Sequence, residues 1–339
     1  MRRTLAAVFA ALSCAAALGC SHHQGPRPRQ LTLGMVTDVG GLGDRSFNDS
    51  AYRGLLESKR ELDAYVQVLQ SRSAADYQPN LSALTNLHVN MIYAIGFLMS
   101  LDLDQVAKQN PQQRYAIIDA VVDEPNVISV TFREQDGSFL AGALAAMVSK
   151  THHIAFLGGA DIPLLQKFEA GYIAGAHEVD PKTAVDVKYI GDFDDVAAGA
   201  ELSNLLFDSG TDIIYAAAGK AGLGAIEAVK SRNGDYVIGV DSNQDALAKG
   251  KILTSMVKRV DVAVFHVAKA LRDATPLSGH LELGLKEGGV GLTDFKFTKQ
   301  RIGSSNIARL KSIETAVIGG KVHPPDSRKA LALWTPVPL

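Results

Sequence analysis

The chain has 339 residues with 34 basic and 36 acidic side chains, a net charge of −2, and neither a basic face nor a charge block. That balance argues against nucleic acid as a partner. A charged fraction of 21% beside 47% hydrophobic content fits an ordinary globular chain, and the length suggests about two domains.

Met1-Arg2-Arg3 opens a mostly apolar tract, Leu5 to Leu18, that closes on Ala17-Leu18-Gly19-Cys20. This is the layout of a secretory signal peptide over residues 1–19. It is shorter than the roughly 20 apolar residues that span a bilayer. The cysteine after small Gly19 resembles a bacterial lipobox, with Ala17 where leucine is commonest, and makes Cys20 the expected lipid anchor. Cys14 leaves with the leader, so the mature chain keeps one cysteine, acylated, and forms no internal disulfide. An exported domain of this size buries enough core to do without such staples. Residues 20–30 carry no apolar period and read as a lipidated, flexible tether. The expected location is therefore exported and membrane-anchored, on the periplasmic or extracellular face.

A strand is expected over Leu31 to Val36. After it comes the stretch that organises the rest, Asp38 to Leu56, a glycine-rich polar turn leading into apolar Phe47, Ala51 and Leu55. Strand, loop and amphipathic helix form the first half of a βα unit. Ligands sit at such turns, where loops leave the carboxyl ends of strands and helix amino termini offer free N–H groups. This turn adds Asp38, Asp44, Phe47 and Asn48. An aromatic face stacks on a flat ring while carboxylate and amide groups read its donors and acceptors, and a nucleoside offers both a ring and hydroxyls. Read structurally, the same residues are a hydrophobic staple at Phe47 and caps at Asp44, Ser46 or Asn48.

The first half then alternates: helix from Ala51 to Leu62, strand from Tyr65 to Gln70, helix from Leu81 to Leu87, strand from Met91 to Ile95, helix from Leu103 to Lys108, strands from Tyr115 to Ile118 and Val127 to Phe132. The rhythm restarts with helices over Phe139 to Val148, Leu165 to His177, Ala197 to Phe207 and Leu223 to Lys230. Strands over Ile154 to Leu157, Val185 to Tyr189, Ile213 to Ala217, Tyr236 to Val240 and Ile252 to Val257 lie among or after them. Helices over Val262 to Leu271 and Asn306 to Ile318 complete the chain. Alternation of this kind predicts parallel sheets covered by helices. Two sheets of four or five strands are expected, because one sheet of about ten would twist badly. If the chain crosses near Phe132, Val260 and Gly279, three connections join the lobes and form a hinge beside a cleft. Lobe 1 is then residues 31–132 with 260–278, and lobe 2 is 133–259 with 279–339.

Eight pieces in fixed order carry a resemblance: Val36-Thr37-Asp38 with Asp44-Arg45-Ser46-Phe47-Asn48, Ile95-Gly96-Phe97, Ile117-Ile118-Asp119, Phe132-Arg133-Glu134 with Gly137-Ser138-Phe139-Leu140-Ala141-Gly142, Lys167-Phe168-Glu169-Ala170-Gly171-Tyr172, Gly191-Asp192-Phe193-Asp194-Asp195, Ile238-Gly239-Val240-Asp241, and Leu253-Thr254-Ser255-Met256-Val257-Lys258-Arg259-Val260-Asp261. Over nearly all of the mature chain the sequence resembles the basic membrane protein family of bacterial lipoproteins, substrate-binding components of ABC transporters that include purine nucleoside receptors. The resemblance implies a type I periplasmic-binding-protein fold closing on a nucleoside, with ABC permease and ATPase subunits as partners and no cofactor. Phe47 would stack on one face of the base, with Phe193 on the other and Phe168 as its rival. Asp119 would bond or orient the base. Asp241 and Lys258 would take ribose hydroxyls, helped by Asp38, Asn48 and the backbone at Gly219. Gly219-Lys220-Ala221-Gly222 departs from the family's Gly-Gly pattern and puts a cation beside a cleft loop.

Residue by residue, Asp119 and Asp241 each end a strand, where a loop-capping role is as common as a ligand role. Lys258 ends an apolar strand, and lysine is rarely buried unpaired; Asp241 is its expected counter-ion. Glu134, Asp194 and Asp195 read as hinge or rim charges. His152 and His153 are adjacent, would face opposite ways in a strand, and suit a metal poorly. Two other functions compete with a transport receptor. A ligand sensor would use the same lobes without transport, and a nucleoside hydrolase would hold calcium in clustered carboxylates. Against the hydrolase, the aspartates are spread over both lobes.

Overall fold

The computed structural model describes residues 30–277 and 279–337; the expected leader, Cys20 and nearly all of the tether lie outside them. The chain runs β1 (Thr32–Thr37), α1 (Phe47–Leu62), β2 (Tyr65–Gln70), α2 (Tyr77–Asn86), β3 (Met91–Ile95), α3 (Ser100–Gln109), β4 (Tyr115–Ile118) and β5 (Val127–Phe132). It continues through α4 (Glu134–Val148), β6 (His153–Gly158), α5 (Pro163–Val179), β7 (Ala184–Tyr189), α6 (Val196–Asp208), β8 (Ile213–Ala217), α7 (Leu223–Lys230), β9 (Tyr236–Asp241) and β10 (Ile252–Lys258). Then come α8 (Val260–Arg272), β11 (Gly279–Leu283), β12 (Val290–Leu292), α9 (Lys299–Ile302), α10 (Ser304–Ile318) and α11 (Arg328–Leu333).

Two sheets form, ordered β2-β1-β3-β4-β5-β11 and β7-β6-β8-β9-β10-β12. Their pairing is parallel except where β12 runs antiparallel to β10. Each sheet repeats the other's order, with its direction of winding reversing after the strand that starts it. Central strands such as Met91–Ile95 and Ile213–Ala217 are buried along their whole length, as parallel strands covered on both faces require. Edge strands β2 and β7 are only partly covered. Among the described residues no helix is long and apolar enough to cross a membrane.

Each sheet holds six strands rather than four or five. The extra ones are β11 and β12, short segments without an apolar run. β11 also corrects the expected boundary at Gly279. Gly279–Leu283 pairs along Ile128–Phe132 in the first sheet, so the last crossing comes after Leu283. The three connections are bonded to one another at the hinge: the Arg133 amide donates to the Leu283 carbonyl at 3.0 Å and the Arg259 amide to the Gly289 carbonyl at 2.8 Å.

The helix expected from Ala51 starts at Phe47. Buried Asp44 is the reason, since its carboxylate accepts from the amides of Ser46, Asn48 and Asp49 at 2.9, 2.7 and 3.0 Å and satisfies the first turn. In the second lobe, α4 is buried on nearly all sides and lies against α5 at backbone distance. A Cβ at Gly142 would fall 1.9 Å from the Tyr172 carbonyl oxygen, and one at Gly175 1.9 Å from that of Phe139.

Candidate functional site

A narrow cavity, with about 60 Å³ open to the centre of a water molecule, lies between the two sheets' carboxyl ends. It sits beside the points where each strand order reverses, the expected place for a ligand in an open α/β sheet. All eight ligand residues expected from the sequence line it: Asp38, Phe47, Asn48 and Asp119 from the first lobe, Phe193, Gly219, Asp241 and Lys258 from the second. Cys20 lies outside the described residues.

Strand ends position these groups. Asp38 follows β1, Asp119 follows β4 with φ at 70°, Gly219 follows β8 with φ at 56°, and Asp241 ends β9 with φ at 60°. For two aspartates a left-handed conformation is uncommon, and it marks sharp turns where the chain leaves each sheet at the cavity.

Lys258 is the electrostatic centre. Its ammonium donates to Asp119 Oδ2 at 2.6 Å and has Glu134 Oε1 at 3.7 Å and Asp241 Oδ1 at 3.9 Å. The closest counter-ion is therefore Asp119, from the facing lobe, rather than the expected Asp241. Burial works against the lysine's charge, but Asp119, Asp241 and Glu134 outweigh it and hold its pKa above the ordinary lysine range. The same ammonium lies 4.8 Å from the ring centre of Phe47, 5.4 Å from that of Phe168 and 5.5 Å from that of Phe132, within cation–π reach.

Carboxyl groups in and beside the site are raised as well, which favours their neutral form. Desolvation raises Asp38 to about 7, against the bonds it accepts from Asn48 Nδ2 at 2.7 Å and the Gly40 amide at 3.0 Å. Desolvation likewise raises Asp44 to about 6 and Glu134 to about 7. Glu134 stands at the hinge but is wholly buried, so it is no rim charge.

Direct bonds join the lobes beside the cavity. Ser46 Oγ donates to Asp241 Oδ2 at 2.6 Å, Ser242 Oγ to the Ser46 carbonyl at 2.7 Å, and Gln244 Nε2 to the Arg45 carbonyl at 3.1 Å. Two buried acceptors on the cavity wall, Asn48 Oδ1 and Asp119 Oδ1, have no hydrogen-bond partner among the described residues.

Phe97, named above only within the piece Ile95-Gly96-Phe97 and given no ligand role there, meets Phe193 edge-to-face at 6.4 Å and lines the cavity just past a strand end. Leu164 and Leu165 at the start of α5 also line the cavity, as do Asp44 and Phe168. Lys220 lies at its wall, paired with Asp194 at 2.5 Å. The two neighbouring histidines take separate partners, His152 with Asp180 at 3.1 Å and His153 with Asp186 at 3.0 Å. No metal-holding group of His, Cys, Asp and Glu occurs among the described residues.

Residues 31–319 match the family described as ABC transporter substrate-binding protein PnrA-like. The chain is 33% identical to the ABC transporter nucleoside-binding protein BmpA of Lactococcus lactis, over 96% of this chain and 99% of that one. It is 39% identical to basic membrane protein A1 of Borrelia garinii, over 82% and 84%. A solute-binding protein of an ABC transporter system from Aeropyrum pernix has the same fold, with a TM-score of 0.83 and 27% identity over 90% of this chain and 96% of that one. Two like-ordered sheets, three crossing connections, a cavity at their facing ends and these relatives agree: the chain belongs to the Bmp family of PnrA-like ABC transporter substrate-binding proteins.

Proposed function

We propose that this protein captures a purine nucleoside between its lobes, is held to the cell membrane by lipid on Cys20, and delivers its ligand to an ABC permease. The observation that carries this reading is the pairing, in one interlobe cavity, of aromatic walls with unpartnered buried acceptors. Phe47 forms one wall. Phe193, half-buried and braced by Phe97, suits the other better than Phe168, which at 3% exposed is the more enclosed of the two. Stacking contributes about 1–3 kcal/mol per aromatic contact but discriminates little between bases. Discrimination falls to Asn48 Oδ1 and Asp119 Oδ1, because a buried acceptor left unpaired costs about 1–3 kcal/mol. A ligand that donates to both relieves that cost.

Asp119 would meet the base, and Asp241 and Lys258 would take the ribose hydroxyls, helped by Asp38, Asn48 and the Gly219 backbone. Spread over both lobes, they make affinity depend on closure, as a receptor that hands over its ligand requires. The nucleoside-binding name of the Lactococcus lactis relative supports the ligand class. The test is isothermal titration of the mature chain with guanosine, inosine, adenosine, the free bases and ribose. Ribosides are expected to bind one to one, and Phe47→Leu to weaken them by about 10–100-fold. Binding of ribose alone, or of no riboside, would refute the assignment. Labelled palmitate should enter the wild-type chain and not Cys20→Ser.

A further inference from the structure

The segment after Gly319 lies outside the family match yet is built onto the second lobe. Its anchor is Arg328, the first residue of α11. The guanidinium donates to Glu169 from Nε at 2.9 Å and from Nη2 at 2.8 Å, and to Asp161 Oδ2 from Nη1 at 3.1 Å. Glu169 is buried, and the Tyr189 hydroxyl donates to it as well, at 2.5 Å. Farther along, Trp334 meets Phe139 of α4 edge-to-face at 5.9 Å, and the Val337 amide donates to Glu178 Oε2 at 2.9 Å.

These attachments follow one helix. Asp161 precedes α5 by two residues, Glu169 is in its second turn, and Glu178 is in its last. Between the first two anchors lie Leu164, Leu165 and Phe168, which line the interlobe cavity. On another side α5 is locked to α4 by the close approach at Gly142 and Gly175. The position of the α5 amino-terminal turns is thus fixed by α4 and by the C-terminal segment together.

We infer that residues 327–337 splint α5, and that Arg328, clamping Asp161 and Glu169, sets the Leu164–Phe168 wall of the cavity without touching the ligand. Arg328 is a positioning residue: a planar fork spans two carboxylates at fixed spacing, which a lysine ammonium cannot do. The inference takes its ligand from the proposed function, but its first measurement needs none.

Two mild variants test it. Arg328→Lys keeps a counter-charge beside buried Glu169 and leaves untouched the bond Asp161 accepts from Gln166 Nε2 at 2.9 Å, whereas Asp161→Ala removes the rim half of the clamp together with that bond. In the unliganded protein, amide exchange over Leu164–Phe168 should rise about tenfold in both, with β8 and β9 unchanged. The emission of Trp334, the chain's single tryptophan, should shift to the red in Arg328→Lys. Guanosine affinity should fall about five- to tenfold in both variants, mainly through faster release. Unchanged exchange over Leu164–Phe168, a rise spread equally over β8 and β9, or unchanged affinity would each overturn the positioning role. If the wild-type chain binds no nucleoside, the ligand assignment fails and the local exchange result decides the splint alone.

Discussion

At Lys258, three carboxylates and three phenyl rings converge on one buried ammonium. Its partners come from both lobes, so the lysine neutralises charges that closure brings together. Removing one member of a buried ionic cluster costs about 3–5 kcal/mol, and Lys258→Met should destabilise the unliganded protein by that order in denaturant unfolding. The deficit should shrink toward low pH, where the stranded carboxyl groups take up protons. Asp38 supplies a second prediction. Its folded pKa, about 7, lies above the ordinary 3.8; the folded state therefore binds more protons than the unfolded one across that window, and stability is lost as pH rises through it. Asp38→Asn removes this term. Thermal melts at pH 5 and pH 8 should show the variant gaining on wild type at the higher pH, and an equal difference at both would contradict it. The sequence revealed Lys258 as an anomaly, an ammonium ending an apolar strand. It could not reveal Asp119 as its partner, because the two are 139 residues apart and meet only across the cleft.

Among the elements, the central strands and most helices were legible because burial on both faces writes unbroken apolar runs into the sequence. β11 escaped because its Gly279–Leu283 stretch, partly exposed at an edge, has no such run. The early start of α1 escaped because it depends on one side chain, Asp44, whose capping bonds appear only once the loop is folded. α11 escaped for a related reason: it is six residues long and held by ion pairs rather than by periodic apolar contacts. The candidate ligand residues came from the family resemblance, and strand-end placement independently marked Asp38, Asp119 and Asp241, since strand ends lie at the sheet edge where ligands sit. The α4–α5 pair gives the prediction at this scale. Gly142→Ala would place a Cβ 1.9 Å from the Tyr172 carbonyl oxygen, and overpacking of that kind costs about 1–3 kcal/mol or more. The same change at Gly43, where a Cβ has open space but φ is 91°, would act through backbone strain instead. Chemical denaturation of Gly142→Ala should show the loss, and a neutral result would mean the two helices are not held at backbone distance.

On the scale of the molecule, two like-ordered sheets face each other across a cavity, and hydrogen bonds from Ser46, Ser242 and Gln244 hold the lobes together beside it. Closure alone leaves Asn48 Oδ1 and Asp119 Oδ1 unpaired among the described residues, so a fitting ligand contributes what the lobes by themselves do not. Diffraction from crystals of the mature chain grown with guanosine tests this most directly. The expected density is a purine ring between Phe47 and Phe193, with donors on Asn48 Oδ1 and Asp119 Oδ1 and the ribose toward Asp241 and Lys258. Guanosine seated on an outer surface, with the interlobe cavity empty and Phe47 still packed over Lys258, would contradict it.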